Sequence, residues 1–274
     1  MTTPFTRTVL AVPASSERFL TKAQQAPASA LMVDLEDGVA EPSKTAARQL
    51  FARAAKSLAA APPALWLRVN AVSSPHLAAD LAAARDAQQR IDALVLPKAT
   101  PAAVADLTAR TDLPVVALIE TPEGVEDARA IAEHPAVRAL MFGELDFRAE
   151  LARSGGLRAD DTSWAQARIV NAAALAAIVS FAGPTAAVGD QQQLQTDCAR
   201  QAAVGFTGKL CIHPAQLDAV QAAFGPTPDM VAWARRVEQA VAQAPASGAI
   251  TVDGSMVDRP VIDRAQHILT EADQ

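Results

Sequence analysis

The sequence predicts an α/β fold, a closed (β/α)8 barrel with a C-terminal helical and hairpin extension. Three observations carry that expectation. Eight apolar runs of strand length recur along the 274 residues, separated by longer alanine-rich stretches of helical periodicity. Apart from a longer gap before the seventh, they repeat at roughly 25 to 30 residues, close to the length of a βα unit. Most of the runs end in an ionisable residue, as barrel strands do where they feed a catalytic face.

The runs are TVLAVP (8–13), LMVDLE (31–36), LWLRVN (65–70), ALVLPK (93–98), PVVALIE (114–120) and RALMFGELD (138–146), then a weaker TAAVGD (185–190), and GKLCIHP (208–214). Segments such as SKTAARQLFARAAKSLAAA and HLAADLAAARDAQQR lie between them, with apolar residues at three- and four-residue steps, as amphipathic helices require. An open doubly wound sheet fits the same alternation, but no GxGxxG follows the first strand. Residues 1–220 are read as the barrel. Residues 221–274 are read as an extension of the same structural unit: two helices split by GPTP, a short hairpin within PASGAITVDGSMVDRP, and a last helix near 260–272. This tail exceeds what a barrel needs, so it covers something or reaches a neighbouring subunit.

Composition narrows the function. Half of the residues are hydrophobic, enough for a substantial core, while the net charge of −6 and the lack of a basic stripe disfavour nucleic acid as a partner. No run approaches the roughly 18 apolar residues of a membrane span, and the N-terminus lacks the pattern of a signal peptide. Cys198 and Cys211 are too few and too far apart for a zinc site or a disulfide framework. Buried free thiols in a reducing cytoplasm are the expectation.

The strand ends supply the candidate site. Strand two ends in Asp34, Glu36 and Asp37, strand three in Arg68 and Asn70, strand four in Lys98, strand five in Glu120, strand six in Glu144 and Asp146, and strand eight in His213. Glu120 and Asp146 are candidate Mg2+ ligands, because Mg2+ takes one or two carboxylates and completes its shell with water and substrate oxygens. The same residues suit helix N-caps, since ETPEG and DFRAE precede helical segments, and the residues alone leave both possibilities open. Arg68 is a permanent charge inside an apolar strand, suited to a small carboxylate by a two-pronged bond; the plainer alternative is an ion pair with Glu36 or Asp37. Lys44 is placed to neutralise the same acidic cluster. Lys98 has the form of a Schiff-base lysine, although its place beside a proline at a strand end favours a structural role. The histidines do not cluster as zinc ligands, and no GxSxG motif points to a hydrolase triad.

Taken together, VLAVPASSERFLTKA, VDLEDGVAEPSKTAAR, LRVN, VLPKA, ALIETPEGV, FGELD, GFTGKLCIHPAQL and GSMVDRPVIDRA, in that order over nearly the whole chain, resemble the citrate lyase β-subunit-like branch of the HpcH/HpaI aldolase superfamily. That resemblance implies a Mg2+-dependent acyl-CoA lyase on a (β/α)8 barrel. It implies that Glu120 and Asp146 hold the Mg2+, that Arg68 binds the keto-acid or acyl carboxylate, and that Glu36 and Asp37 act beside the metal. Leu145, Ile212 and His213 would line the substrate site together with Arg68 and Glu120. Asp258 would be the acid/base residue, inserted by a neighbouring subunit of a homotrimer or hexamer, and Arg18 and Lys22 would meet the nucleotide end of CoA.

The chain departs from the family pattern in two places. GPTAAVGD stands where many relatives carry an Ile-Asp-x-Val motif, which removes an aspartate from the acyl end of the pocket, and VPAS replaces VPG. The implied reaction is reversible cleavage of citryl-, malyl- or citramalyl-CoA to acetyl-CoA and a keto acid. Alternatives are a malate-synthase-like or thioesterase outcome through the same enolate, and a non-catalytic CoA-binding subunit of a larger complex.

Overall fold

The computed structural model describes residues 6–58, 64–87, 90–156, 158, 160–243 and 250–273. Eight strands close into a parallel barrel in sequence order: β1 (Thr8–Pro13), β2 (Ala30–Asp34), β3 (Ala64–Arg68), β4 (Ala93–Leu96), β5 (Val115–Ile119), β6 (Val137–Phe142), β7 (Val179–Ala182) and β8 (Gly208–Cys211). β1 pairs with both β2 and β8, which closes the sheet. Around it run α1 (Glu17–Ala23), α2 (Lys44–Leu58), α3 (Leu77–Asp86), α4 (Pro101–Thr108), α5 (Pro122–Glu126), α6 (Ala128–Ala132), α7 (Glu144–Arg153), α8 (Ser163–Leu175), α9 (Gln191–Val204) and α10 (Leu217–Phe224). Strands covered on both faces lose the polar–apolar alternation of a half-exposed sheet, and every residue of β2, β4 and β5 is buried.

The barrel core places the site. Alternate residues of every strand feed one apolar cluster, among them Val9, Met32, Trp66, Val95, Leu118, Met141, Phe181 and Leu210. Trp66 and Phe181 meet edge to face across it, with centroids 5.5 Å apart. Two residues further along the same faces stand Asp34, Arg68, Glu120, Gly143, Gly183 and Ile212. The period of two that builds the core therefore also aims the acidic and basic residues into the C-terminal mouth.

The seventh strand is not where the sequence was expected to place it. β7 is Val179–Ala182, and residues 185–190 are loop. There Thr185 is buried, its hydroxyl donating to Asp197 (2.7 Å), and its carbonyl accepts from Gln216 Nε2 (2.9 Å). Asp190 caps α9 by accepting from the Gln193 N–H (2.9 Å). The apolar residues of that stretch serve a loop fastened by hydrogen bonds and a helix start.

The chain divides into two compact units, residues 6–223 forming one and residues 224–273 lying in the other. In the second, α11 (Pro228–Gln243) and α12 (Arg259–Ala272) pack with a two-stranded antiparallel hairpin, β9 (Ile250–Val252) and β10 (Ser255–Val257). Its turn residues Asp253 and Gly254 have φ of +50° and +76°, the left-handed pair that a tight hairpin demands. Ala234, Val237, Val252, Val257, Ala265 and Ile268 form its core. Residues 245–249 of the expected hairpin segment lie outside the described residues. Among the described residues no helix is long and apolar enough to cross a membrane.

Phe181 is fully buried in the barrel core. Phe181→Ala should cost about 3–5 kcal/mol, read by calorimetry as a drop in Tm of roughly 2–4 °C per kcal/mol; a loss under a few degrees would show that the barrel interior closes around the void.

Candidate active site

Parallel pairing puts Asp34 of β2 beside Arg68 of β3. Arg68 Nε donates to Asp34 Oδ1 (2.8 Å) and its Nη2 to Oδ2 (2.7 Å), a two-pronged bond. The backbone N–H groups of Glu36 and Gly38 donate to the same two oxygens, each at 2.8 Å. Asp34 is saturated, so it acts as an anchor. Arg68 Nη1 also lies 3.1 Å from Glu36 Oε2, an ion pair whose angles do not make a hydrogen bond. Burial opposes the Arg68 charge, but the bond to Asp34 and the charges of Asp34, Glu36 and Glu120 outweigh it, and the guanidinium is held above its ordinary pKa.

The partner of Arg68 is thus Asp34 together with Glu36. Asp37, the other expected partner, is exposed and makes no ion pair with it. Lys44 also differs from expectation. Its buried ammonium donates to the backbone carbonyls of Leu35 (3.0 Å) and Glu36 (2.9 Å), fixing the turn that bears the acidic cluster rather than pairing with its carboxylates.

Glu120 follows β5, is 1% exposed, and sits against Gly143, where a Cβ would come within 2.5 Å of its own Cβ. Its Oε1 accepts from the Lys98 N–H (2.9 Å); its Oε2 is buried without a hydrogen-bond partner. Burial, followed by the charge of Glu36, raises its pKa to about 7; Asp146 adds to the rise, while Lys98 and Arg68 oppose it. Glu36 is likewise raised, by burial first, against the pull of Arg68 and Lys98. Neither proposed ligand is a helix cap. Thr121 caps α5 by accepting from the Gly124 N–H (3.1 Å), and Gly143 is the residue before α7, with no side-chain cap.

Asp146 is exposed in the first turn of α7, near enough to raise Glu120. Glu144, two residues earlier, turns away into a separate network with Arg148 (2.8 Å) and Thr162 (2.7 Å). Among the described residues no three His, Cys, Asp or Glu side chains form a ready cage for a metal. A buried carboxylate oxygen without a partner, beside a second acidic side chain, nevertheless suits a hard cation that takes few protein ligands and fills its shell with water and substrate. Glu120 and Asp146 are the residues that would hold it.

The remaining candidates lie on separate elements. Leu145 and Ile212 are exposed aliphatics after β6 and β8, and His213 Nδ1 accepts from the Ala215 N–H (3.1 Å), capping a short turn. Arg18 and Lys22 are exposed on α1. Asp258 lies in the C-terminal unit, where it caps α12 through the Val261 N–H (3.3 Å). Sequence reasoning passed over the anchoring role of Asp34; its shared face with Ala30 and Met32 was the available signal.

An arginine anchored on one carboxylate, next to an acidic side chain with an unfilled oxygen at the mouth of a parallel barrel, has the makings of an enzyme site. The chain belongs to the HpcH/HpaI aldolase/citrate lyase family, whose profile matches residues 7–214. It is 34% identical over 280 residues to a citrate lyase subunit beta-like protein of Deinococcus radiodurans, covering 96% of each chain. It is also 34% identical over 277 residues to a (3S)-malyl-CoA thioesterase of Cereibacter sphaeroides, covering 98% of this chain and 95% of the relative. The crystal structure of CitE from Mycobacterium tuberculosis with magnesium, acetoacetate and coenzyme A superposes with a TM-score of 0.84 at 32% identity over 98% of each chain.

In divalent-free buffer the Glu120 shift has a definite sign. A carboxyl whose pKa rises from 4.5 to about 7 on folding gives its full stabilisation below about pH 4.5 and loses it as the pH climbs through 7. Glu120→Gln removes that loss, so its Tm should exceed the parent's by more at pH 8 than at pH 5, and an equal difference at both would show that Glu120 ionises freely.

Proposed function

We propose that the chain is a Mg2+-dependent acyl-CoA lyase that reversibly cleaves a 3-hydroxyacyl-CoA of the citryl-, malyl- or citramalyl-CoA class into acetyl-CoA and a keto acid. The observation that carries this is the buried, unpartnered Glu120 Oε2 beside an arginine whose orientation is fixed by Asp34. The family match and the magnesium, acetoacetate and coenzyme A of the similar CitE structure support it.

When bound, Mg2+ supplies Lewis-acid polarisation of the substrate's hydroxyl or keto oxygen. Arg68 has a permanent charge and a fixed plane, and it takes the substrate carboxylate and steadies the negative charge that develops on cleavage. Glu36 keeps Arg68 and Lys98 in place from the opposite side, and Asp37 presents an exposed carboxylate next to it for ordered water. Leu145, Ile212 and His213 line the acyl end, and Arg18 and Lys22 meet the CoA phosphates. Asp258 of a neighbouring copy moves the proton, which makes the working form a homo-oligomer, a trimer or hexamer. The two buried free thiols suit a reducing cytoplasm, and the net charge of −6 disfavours nucleic acid as a partner.

A second outcome, thioester hydrolysis through the same enolate, is favoured by the likeness to the malyl-CoA thioesterase. Purified protein with citryl-, malyl- and citramalyl-CoA, and with acetyl-CoA plus glyoxylate, tested with and without EDTA and resolved by mass, separates the two. EDTA-sensitive acetyl-CoA plus one keto acid supports the lyase; free malate supports hydrolysis. No turnover despite bound metal would overturn both and favour a subunit acting only within a larger complex.

Asp258→Asn should lower kcat by about 10²–10⁴-fold, the usual worth of a positioned acid or base, while Mg2+ binding persists. Mixed oligomers of Asp258→Asn and Glu120→Ala subunits should regain part of the activity. No recovery in oligomers verified to be mixed would place both residues in one subunit's site.

A further inference from the structure

Lys98 stands in the turn after β4 with a backbone φ of +50°. The left-handed region is disfavoured for a residue with a side chain, and it persists where the surroundings over-determine it. Ala177 and Asp253, the other non-glycine residues with positive φ among those described, lie in the turns before β7 and between β9 and β10. At Lys98 the conformation accompanies a double task. Pro97 has no N–H with which to prolong the strand, and the Lys98 N–H leaves the ladder to donate to Glu120 Oε1 (2.9 Å). Its ammonium donates to Glu36 Oε1 (2.9 Å) and lies 3.5 Å from Glu120 Oε1.

One residue therefore holds carboxylates from two strand ends through two different groups. The ammonium is not available as an amine nucleophile. Burial opposes its charge, but the bond to Glu36 and the charge of Glu120 outweigh that and hold it protonated, against a Schiff-base role.

Serving the Mg2+-dependent cleavage proposed above, we infer that Lys98 is a positioning residue: its N–H commits Glu120 Oε1 and so leaves Oε2 as the open oxygen, and its ammonium ties Glu36 to Glu120. The arrangement has an electrostatic consequence. A fixed cation beside the carboxylates weakens their hold on a divalent ion even as it orients them, so metal affinity and turnover should move in opposite directions when it is removed.

The test uses Mn2+, followed by electron paramagnetic resonance, on the parent and on Lys98→Met, Lys98→Gly and Lys98→Arg. Glycine adopts a φ of +50° without strain and keeps the N–H, so Lys98→Gly guards against a folding defect in Lys98→Met. Both should bind Mn2+ about three- to thirtyfold more tightly. On whichever CoA thioester the parent cleaves, kcat should fall about ten- to hundredfold. Lys98→Arg should keep the parent's Mn2+ affinity and recover part of kcat. Unchanged Mn2+ affinity in both Met and Gly variants, or a joint loss of Tm, Mn2+ affinity and kcat, overturns the assignment. If the parent cleaves no CoA thioester, the proposed reaction falls, and the Mn2+ titration by itself still decides for or against Lys98.

Discussion

The pair of Asp34 and Arg68 is the constraint on which the mouth of the barrel depends. Burying an arginine in a parallel strand is costly unless its charge is matched and its donors are used. Asp34 matches it with both oxygens, and the N–H groups of Glu36 and Gly38 occupy what remains of that carboxylate. A buried pair of this kind adds little net stability, whereas losing one partner would strand the other; its value lies in orientation. Because β2 and β3 are locked in register beneath it, Arg68 has one direction in which to point. Glu36, Lys98 and Glu120 are then fixed in turn, each by its neighbour.

The crowd of carboxylates after β2 is intelligible on the same terms. Asp34 is an anchor, Glu36 bridges Arg68 and Lys98, and Asp37 faces solvent. With Glu120 and Asp146 added, the mouth carries five carboxylates and two cations, Arg68 and Lys98, which between them touch Asp34, Glu36 and Glu120. Burial first, and then the charge of Glu36, raise the pKa of Glu120. A divalent ion is the simplest remedy, and the chemistry proposed for the site needs one at that position.

Much of this was legible in the sequence because inward residues of a barrel strand recur at every second position. The alternation that marks Ala30 and Met32, or Trp66, as core continues without a break to Asp34 and Arg68, so the strand ends could be read as a site. Strand pairing was less legible. Nothing local tells Arg68 that Asp34, and not Asp37, lies opposite, since that follows from register across the barrel. The seventh strand was missed for a related reason. Its four residues, VSFA, follow almost directly on the alanine-rich α8, and periodicity cannot divide a short apolar strand from an apolar helix end.

The loop after that strand is held by buried polar side chains. Lys209 of β8 is fully buried and donates to the Gly183 carbonyl and to Gln201 Oε1, each at 2.6 Å. Burial pushes its pKa down, and both oxygens to which it donates are uncharged. Gln216 joins the same task, donating to the Thr185 carbonyl and accepting from the Ile212 N–H, both at 2.9 Å. The Gln216 side chain thereby fastens the loops after β7 and β8 to each other. Gly183 fits because a Cβ there would lie 2.8 Å from the Phe142 carbonyl. Loop position on this side of the mouth is thus set by Lys209 and Gln216, independently of the charge pattern that fixes Arg68 and Glu120. The side of the mouth formed by the loops after β7 and β8 is therefore free to vary while the acidic side keeps its geometry.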